Sequence, residues 1–411
     1  MNQLIINTKA ACRELRALTD EKRREVLGSL AAKLKADRGK LLGANAEDLS
    51  RMDPESPLYD RLQLTPVRID GIADGVLQVA GLPSPLGRIL EQRTLPNGLH
   101  LEKVSAPYGV IGVIYEARPN VTFDVFAICF KSGNACLLKG GRDASCSNRA
   151  AVGMIKEALR ECGVTEDAVN LMDATHEAAA ELLGAVGFVD IVIPRGGRKL
   201  IDFVRSNALV PCIETGAGVV NTYFDASGDL EIGRRCVLNA KTRRVSVCNA
   251  LDCLLVHSSR LDDLFELVAP LAEKQVTIYA DERSYGALCG RYPLLERADD
   301  GSYGTEYMDY KMALRCVDSL GEAMEHIARY GSGHSESIIT DDASAAEVFL
   351  GGVDAACVYH NAPTSFTDGG EFGLGAEIGI STQKLGPRGP MGLQEMTCYK
   401  WLITGSGQMR P

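Results

Sequence analysis

The sequence predicts an α/β protein with two parallel-sheet domains, and three observations carry that prediction. From Pro107 onward, short Val/Ile/Leu-rich runs alternate with helical stretches, the pattern of strands joined by crossover helices. A second set of alternating runs begins near Ala250, so one sheet does not absorb them all. The chain has 411 residues, 45% of them hydrophobic, enough for more than one core, and shows no fixed-period repeat.

The elements follow in order. The first clear helix starts near Thr19 or Asp20, either of which can cap it. Glu21 adds charge to its first turn, and Val26, Leu27, Leu30, Ala31 and Leu34 recur on one face. Its role is scaffold. Past Pro83 to Leu86 the pattern changes to RILEQRTL, then Pro96-Asn97-Gly98, then LHLEKVSA, and an Asn-Gly pair between extended segments predicts a hairpin. The first α/β set reads YGVIGVIY, a helix carrying AICF, ACLLK, the helix AVGMIKEALREC, and DIVIP. The second reads ALDCLLVH, the helix LDDLFELVAPLAEK, VTIYA, a helix from Glu322 to Tyr330, SESIIT, the helix ASAAEVFL, and DAACVYH. The stretch from Gly369 to Pro390, rich in Gly and Pro but interleaved with charged and apolar residues, reads as ordered loop.

Composition narrows the function. Lys and Arg total 44 against 54 Asp and Glu, a formal charge of −10, and such a surface repels phosphate backbones and anionic lipids. No nucleic-acid or membrane partner is expected. No leader-like apolar run opens the chain, and nothing approaches the roughly 18 apolar residues that a bilayer span needs. A soluble, cytoplasmic protein is expected. The thirteen cysteines are dilute, odd in number and set in apolar runs such as VFAICF, as reduced core cysteines are. With no CxxC, no HExxH and six scattered histidines, no metal is expected.

Five segments could carry chemistry. In AKTRRVSVCNALDCLL, Cys248 follows Lys241, Arg243 and Arg244, and nearby cations favour the nucleophilic thiolate; the plainer reading is one more core cysteine. In IYEARPNVTFD, a strand ends at Tyr115 and a polar turn holds Arg118, Pro119 and Asn120. Asn120 could donate its amide to an oxyanion or simply cap the next helix. ACLLKGGRDA brings Lys139 to a Gly140-Gly141 turn followed by Arg142, and VDIVIPRGGRKL brings Arg195 to Gly196-Gly197. Either turn alone is punctuation, but two of them, each behind a cation at a strand end, suggest a bound polyanion such as a dinucleotide, although neither fits GxGxxG. CIETGAG places Glu214 after a strand, where by itself it is only a carboxylate.

Taken in this order, YGVIGVIYEARPNVTFD, KGGRDA, IPRGG, IETGAG, VCNALDCLLVH and TDGGEFGLGAEIGISTQKLGPRGPMGL resemble the aldehyde dehydrogenase superfamily, and within it the gamma-glutamyl phosphate reductase family. The resemblance spans nearly the whole chain, and the last two stretches are its most specific part. It implies an aldehyde dehydrogenase-like fold with a small β oligomerisation unit beside the two α/β domains. The implied division is 1–86 and 108–215 for NADPH binding, 216–363 for catalysis, and 87–107 with 380–411 for the oligomerisation hairpin and C-terminal strand, while 364–379 crosses back past the active site.

The resemblance also implies roles. Cys248 is the catalytic thiol, and Asn120 with the Cys248 N–H forms the oxyanion hole. Lys139 holds the adenosine ribose, Gly196 lies near the pyrophosphate, and Glu306 in TEYMDY binds the nicotinamide ribose. KGGR supplies Lys139 and Arg142 and no acid, which favours NADPH over NADH, since a 2′-phosphate needs cations. Relatives commonly carry Gln and Pro where this chain has Arg243 and Val245, a change that bears on phosphate handling. Glu214 occupies the place of the water-activating base of hydrolytic relatives; here it either helps deprotonate the thiol or stays turned away from the thioester.

The implied reaction is reduction of L-glutamyl 5-phosphate through a Cys248 thioester, with Arg118, Lys241, Arg243 and Arg244 as candidate substrate-binding cations. A homo-oligomer is implied, and glutamate 5-kinase, which makes the labile acyl phosphate, is the candidate protein partner. Three other readings stand beside this one: acyl transfer to coenzyme A, a cysteine hydrolase using His257, and a non-catalytic relative. The hydrolase lacks a base near the thiol other than His257 in its apolar strand.

Overall fold

The computed structural model describes residues 2–56, 59–116 and 118–410. In chain order its strands are β1 (Ile89–Thr94), β2 (His100–Pro107), β3 (Val110–Tyr115), β4 (Ala135–Lys139), β5 (Val169–Leu171), β6 (Ile191–Arg195), β7 (Asn221–Phe224), β8 (Cys253–His257), β9 (Thr277–Ala280), β10 (Leu295–Arg297), β11 (Lys311–Val317), β12 (Ser335–Ile339), β13 (Cys357–His360), β14 (Ile380–Ser381), β15 (Gly389–Pro390) and β16 (Thr397–Thr404). The chain divides into two compact units. The first comprises 1–215, 373–379 and 390–411, and the second 216–372 and 380–389.

The first unit holds a parallel sheet of order β5-β4-β3-β6. Every residue of β3 is buried, as expected of a central strand covered on both faces. The chain steps outward from β3 to β4 to β5 and then returns to the other side of β3 for β6. The strand order therefore reverses between β3 and β6. The N-terminal helices complete this core. Thr19 caps the Asp20–Ala36 helix by accepting from the Lys22 N–H, and Val26, Leu27, Leu30, Ala31 and Leu34 are all at most 1% exposed. Burying each of the larger of these side chains stabilises the unit by roughly 1.5–3 kcal/mol.

The same unit carries the expected hairpin. β1 and β2 pair antiparallel, and Gly98 takes a left-handed φ of 86° in the turn, where its N–H donates to the Leu95 carbonyl. β16 adds to the other edge of β2, giving a three-stranded sheet of order β1-β2-β16. Its edge strands leave Ile89, Leu90, Tyr399, Leu402 and Ile403 exposed.

The second unit is built on a seven-stranded parallel sheet, β10-β9-β11-β8-β7-β12-β13. Two cores flank it. One gathers Leu254, Val256, Leu264, Leu267, Leu271 and Ile278, the other Tyr223, Leu255, Ile327, Ile338 and Phe349. β14 and β15 pair with each other, and the rest of the Gly- and Pro-rich stretch is irregular.

One expectation fails. Glu214 does not follow a strand, because Cys212 makes only an isolated bridge to Val192 in otherwise irregular backbone. Pro211 has no N–H to give a ladder, and the glycines after Thr215 end any continuation.

Candidate active site

In the second unit Cys248 sits on the loop between the Leu230–Thr242 helix and β8. Both ends of that loop are tied. The Leu251 N–H donates to the Ala240 carbonyl at 3.1 Å, and Lys241 Nζ reaches across to the Leu251 carbonyl at 2.9 Å. Next to the thiol, Asn249 Nδ2 donates to the carbonyls of Ser365 (3.2 Å) and Thr367 (3.0 Å), while Thr364 Oγ1 donates to the Asn249 carbonyl at 2.9 Å. Cys248 is half-buried, Arg243 and Arg244 are exposed, and all thirteen cysteines are reduced. A fixed loop that carries a half-buried cysteine suits a nucleophile that must meet a substrate in one geometry.

Two further segments gather at the same, amino-terminal edge of that sheet. Gly218 precedes β7 and Glu306 precedes β11, and the Gly218 N–H donates to Glu306 Oε1 at 2.9 Å. A Cβ at Gly218 would overlap the Cys248 carbonyl, so only glycine allows the backbone to lie against the thiol's own residue. Asp252 ties the cluster together. Its Oδ1 accepts from the Tyr307 N–H at 3.1 Å, its Oδ2 from the Val220 N–H at 3.4 Å, and Lys241 Nζ lies 4.0 Å away. Burial pushes the Asp252 carboxyl up and the Lys241 ammonium down, and each partner's charge opposes that shift in the other. Lys241 is 0% exposed, so its charge is held inside the unit and not presented to solvent.

In the first unit the remaining candidates converge at the carboxyl-terminal edge of its sheet. Lys139 lies opposite Ile114, and Arg195 opposite Tyr115, on either side of β3. Arg118 and Asn120 follow β3 directly, and ligands of open α/β sheets bind at this edge, where the strand order reverses. Burial, and secondarily the Arg142 charge, pull the Lys139 ammonium below the usual lysine range. Two cations that disfavour each other would be relieved by an anion between them.

The glycine turns have packing reasons of their own. A Cβ at Gly140 would collide with the Asn148 amide, and one at Gly196 would fall 2.6 Å from Glu116 Cδ. The Glu116 carboxylate accepts from the Gly197 N–H at 3.0 Å, at the start of the Arg198–Asn207 helix, where a negative charge is favoured. Asn120 is not a cap. It is the second residue of the Pro119–Lys131 helix, and its Nδ2 donates to Asp124 Oδ2 at 3.1 Å. Glu214 Oε2 lies 3.6 Å from Arg205 Nη1.

Sequence reasoning therefore missed Glu116, Asp124, Gly218, Asn249 and Asp252. Asp252 left a trace, a lone acid set directly before the apolar CLLV run. The others are ordinary polar or glycine residues until the fold surrounds them. Among the described residues no group of three His, Cys, Asp or Glu is placed to hold a metal, and no helix is long and apolar enough to cross a membrane.

No protein-family model matches the chain. It is 56% identical over 409 residues to the gamma-glutamyl phosphate reductase of Pelodictyon phaeoclathratiforme, covering 99% of this chain and 98% of that protein. It is 54% identical over 412 residues to the same enzyme of Bacteroides fragilis, covering 100% and 99%. The crystal structure of gamma-glutamyl phosphate reductase from Thermotoga maritima superposes with a TM-score of 0.96 at 38% identity, covering 100% of this chain and 99% of that one. An acetylating aldehyde dehydrogenase from Geobacillus thermoglucosidasius, 17% identical, shares the fold with a TM-score of 0.70 over 99% and 97% of the two chains.

Proposed function

The chain belongs to the gamma-glutamyl phosphate reductase family, and from that premise we propose how its residues carry the reaction. The reaction is reduction of L-glutamyl 5-phosphate to L-glutamate 5-semialdehyde and phosphate, the second step from glutamate to proline. The observation that carries the residue-level reading is the Cys248 loop, tied at both ends and packed against Gly218, with Cys248 only half-buried.

The Cys248 thiolate attacks the acyl carbon. The tetrahedral oxygen takes up negative charge, which the Asn120 amide and the Cys248 N–H stabilise, and collapse expels phosphate to leave a thioester. Reduction of this thioester takes a hydride, which a bound nicotinamide cofactor would supply. The resulting thiohemiacetal on Cys248 then breaks its C–S bond, releasing the aldehyde and regenerating the thiol. Arg118, Arg243 and Arg244 are assigned to the substrate's phosphate and carboxylate. Lys241 serves the site by holding the loop, not by meeting the phosphate. The Glu214–Arg205 contact supports the alternative in which Glu214 stays away from the thioester, where it would otherwise promote wasteful hydrolysis.

The cofactor assigned is NADPH. Lys139 and Arg142 form a cationic pair at the end of β4 that a 2′-phosphate would neutralise, Gly196 and Gly197 with Arg195, at the end of β6, would hold the pyrophosphate, and Glu306 would hold the nicotinamide ribose. The division into the NADPH-binding, catalytic and oligomerisation segments set out from the sequence remains our reading of the domains. Exposed apolar residues on β1 and β16 support oligomerisation through that sheet. We place the enzyme in the cytoplasm, with glutamate 5-kinase as the protein that supplies its labile substrate.

Assay in the reverse direction tests this reading. Glutamate 5-semialdehyde should reduce NADP only when inorganic phosphate is present. Reduction that needs coenzyme A instead, or no acceptor but water, would contradict it.

A further inference from the structure

Asp124 lies one helical turn beyond Asn120, on the same face of the Pro119–Lys131 helix, and accepts from Asn120 Nδ2 at 3.1 Å. Asp124 itself is only partly buried, while its neighbours Phe123, Val125 and Phe126 are at most 1% exposed. Burial pushes its carboxyl up to about 6, against the opposing pull of the Asn120 hydrogen bond and the Arg195 charge. The carboxylate is thus a costly way to satisfy an amide. A serine or a second amide would do so without the cost of partly desolvating a charge.

What a carboxylate offers and those residues do not is lack of ambiguity. An amide side chain has a donor end and an acceptor end of nearly the same shape, and a neutral partner with both kinds of atom can satisfy either end. An ionised carboxylate only accepts, so it can face only the NH2 end. With one N–H committed to Asp124, the amide cannot rotate its oxygen into that place, and its second N–H remains for another acceptor. We propose that Asp124 is the positioning residue that fixes the orientation of the Asn120 amide, keeping its second N–H available to the oxygen that becomes negative when the substrate's acyl carbon is attacked. This rests on the assignment of Asn120 as an oxyanion donor and gives that donor the means of being pre-organised, which is where such groups get their effect.

The test is a double-mutant cycle on the full-length enzyme with Asp124→Asn and Asn120→Ala. Asp124→Asn keeps the volume but lets the pair form either way round, including the one that turns the Asn120 oxygen toward the substrate. It should lower kcat about 10- to 100-fold, short of the roughly 100- to 1000-fold that deleting such a donor costs, with KM little changed. The thermal midpoint should be no lower than wild type, because a neutral group replaces a partly buried carboxylate whose ionisation the fold already disfavours. In the Asn120→Ala background, Asp124→Asn should cost nothing further. Wild-type kcat in Asp124→Asn beside a crippled Asn120→Ala overturns the proposal alone, as does an equal loss in both backgrounds. Wild-type kcat in Asn120→Ala overturns the oxyanion assignment and this proposal with it.

Discussion

Lys241 and Asp252 meet inside the second unit, Nζ 4.0 Å from Oδ1, with both side chains at most 3% exposed. The lysine also holds the Leu251 carbonyl and the aspartate the N–H groups of Tyr307 and Val220. One ion pair therefore joins the thiol loop to the segments of Glu306 and Gly218.

Removing one partner of such a pair is expected to cost more than removing both. Lys241→Met leaves a buried carboxylate uncompensated and should destabilise the protein by about 3–5 kcal/mol. Adding Asp252→Asn should recover much of that loss. Urea unfolding of the wild type, the single variant and the double variant checks this, and a double variant no more stable than Lys241→Met would contradict it.

Cofactor choice should follow the cations at the end of β4. If Arg142 meets the 2′-phosphate as proposed, Arg142→Ser removes an interaction worth about 1.5–3 kcal/mol, so kcat/KM with NADPH should fall roughly 10- to 100-fold. The value with NADH should hardly move. The ratio of the two, measured in wild type and variant, decides the matter.

The pH dependence has a definite sign. The folded state binds the Asp124 proton more tightly than the unfolded chain does, about 6 against 3.8 for an ordinary aspartate. This group's contribution to stability therefore falls as pH rises through that window and recovers as pH drops below it. Activity should run the other way, because a protonated Asp124 can donate and no longer fixes the Asn120 amide. We expect kcat to decline below about pH 6 in the wild type and that limb to be missing in Asp124→Asn. Ionisation of the substrate phosphate is common to both and cancels in the comparison.

The exposed strip on β16 predicts an assembly effect. Ile403 is 61% exposed beside Leu402 and Tyr399. Ile403→Asp should shift the enzyme to a smaller species in sedimentation velocity, with the fold intact by circular dichroism.

How much of this was legible follows from what each element contains. β3, β4, β6, β8 and β9 were readable because they are unbroken or nearly unbroken apolar runs, and the Asn97-Gly98 turn marked the hairpin. β7 was not, because its Asn221 and Thr222 are polar residues buried in the sheet, where Glu336 accepts from both the backbone N–H and the side-chain amide of Asn221. Tertiary partners distant in sequence make such a strand possible, and no local pattern announces them. Cys248, Asn120 and the two Gly-Gly turns stood out as candidates by chemistry and spacing. Their supports did not: Asp124, Gly218 and Asp252 act through hydrogen bonds and close approaches that exist only after folding.

The central claim is that Cys248 carries the acyl group, and replacing it tests this most directly. Cys248→Ala, assayed with glutamate 5-semialdehyde, NADP and phosphate, should retain its fold and lose turnover by several orders of magnitude. Turnover close to wild type would show that the thiol is not the nucleophile.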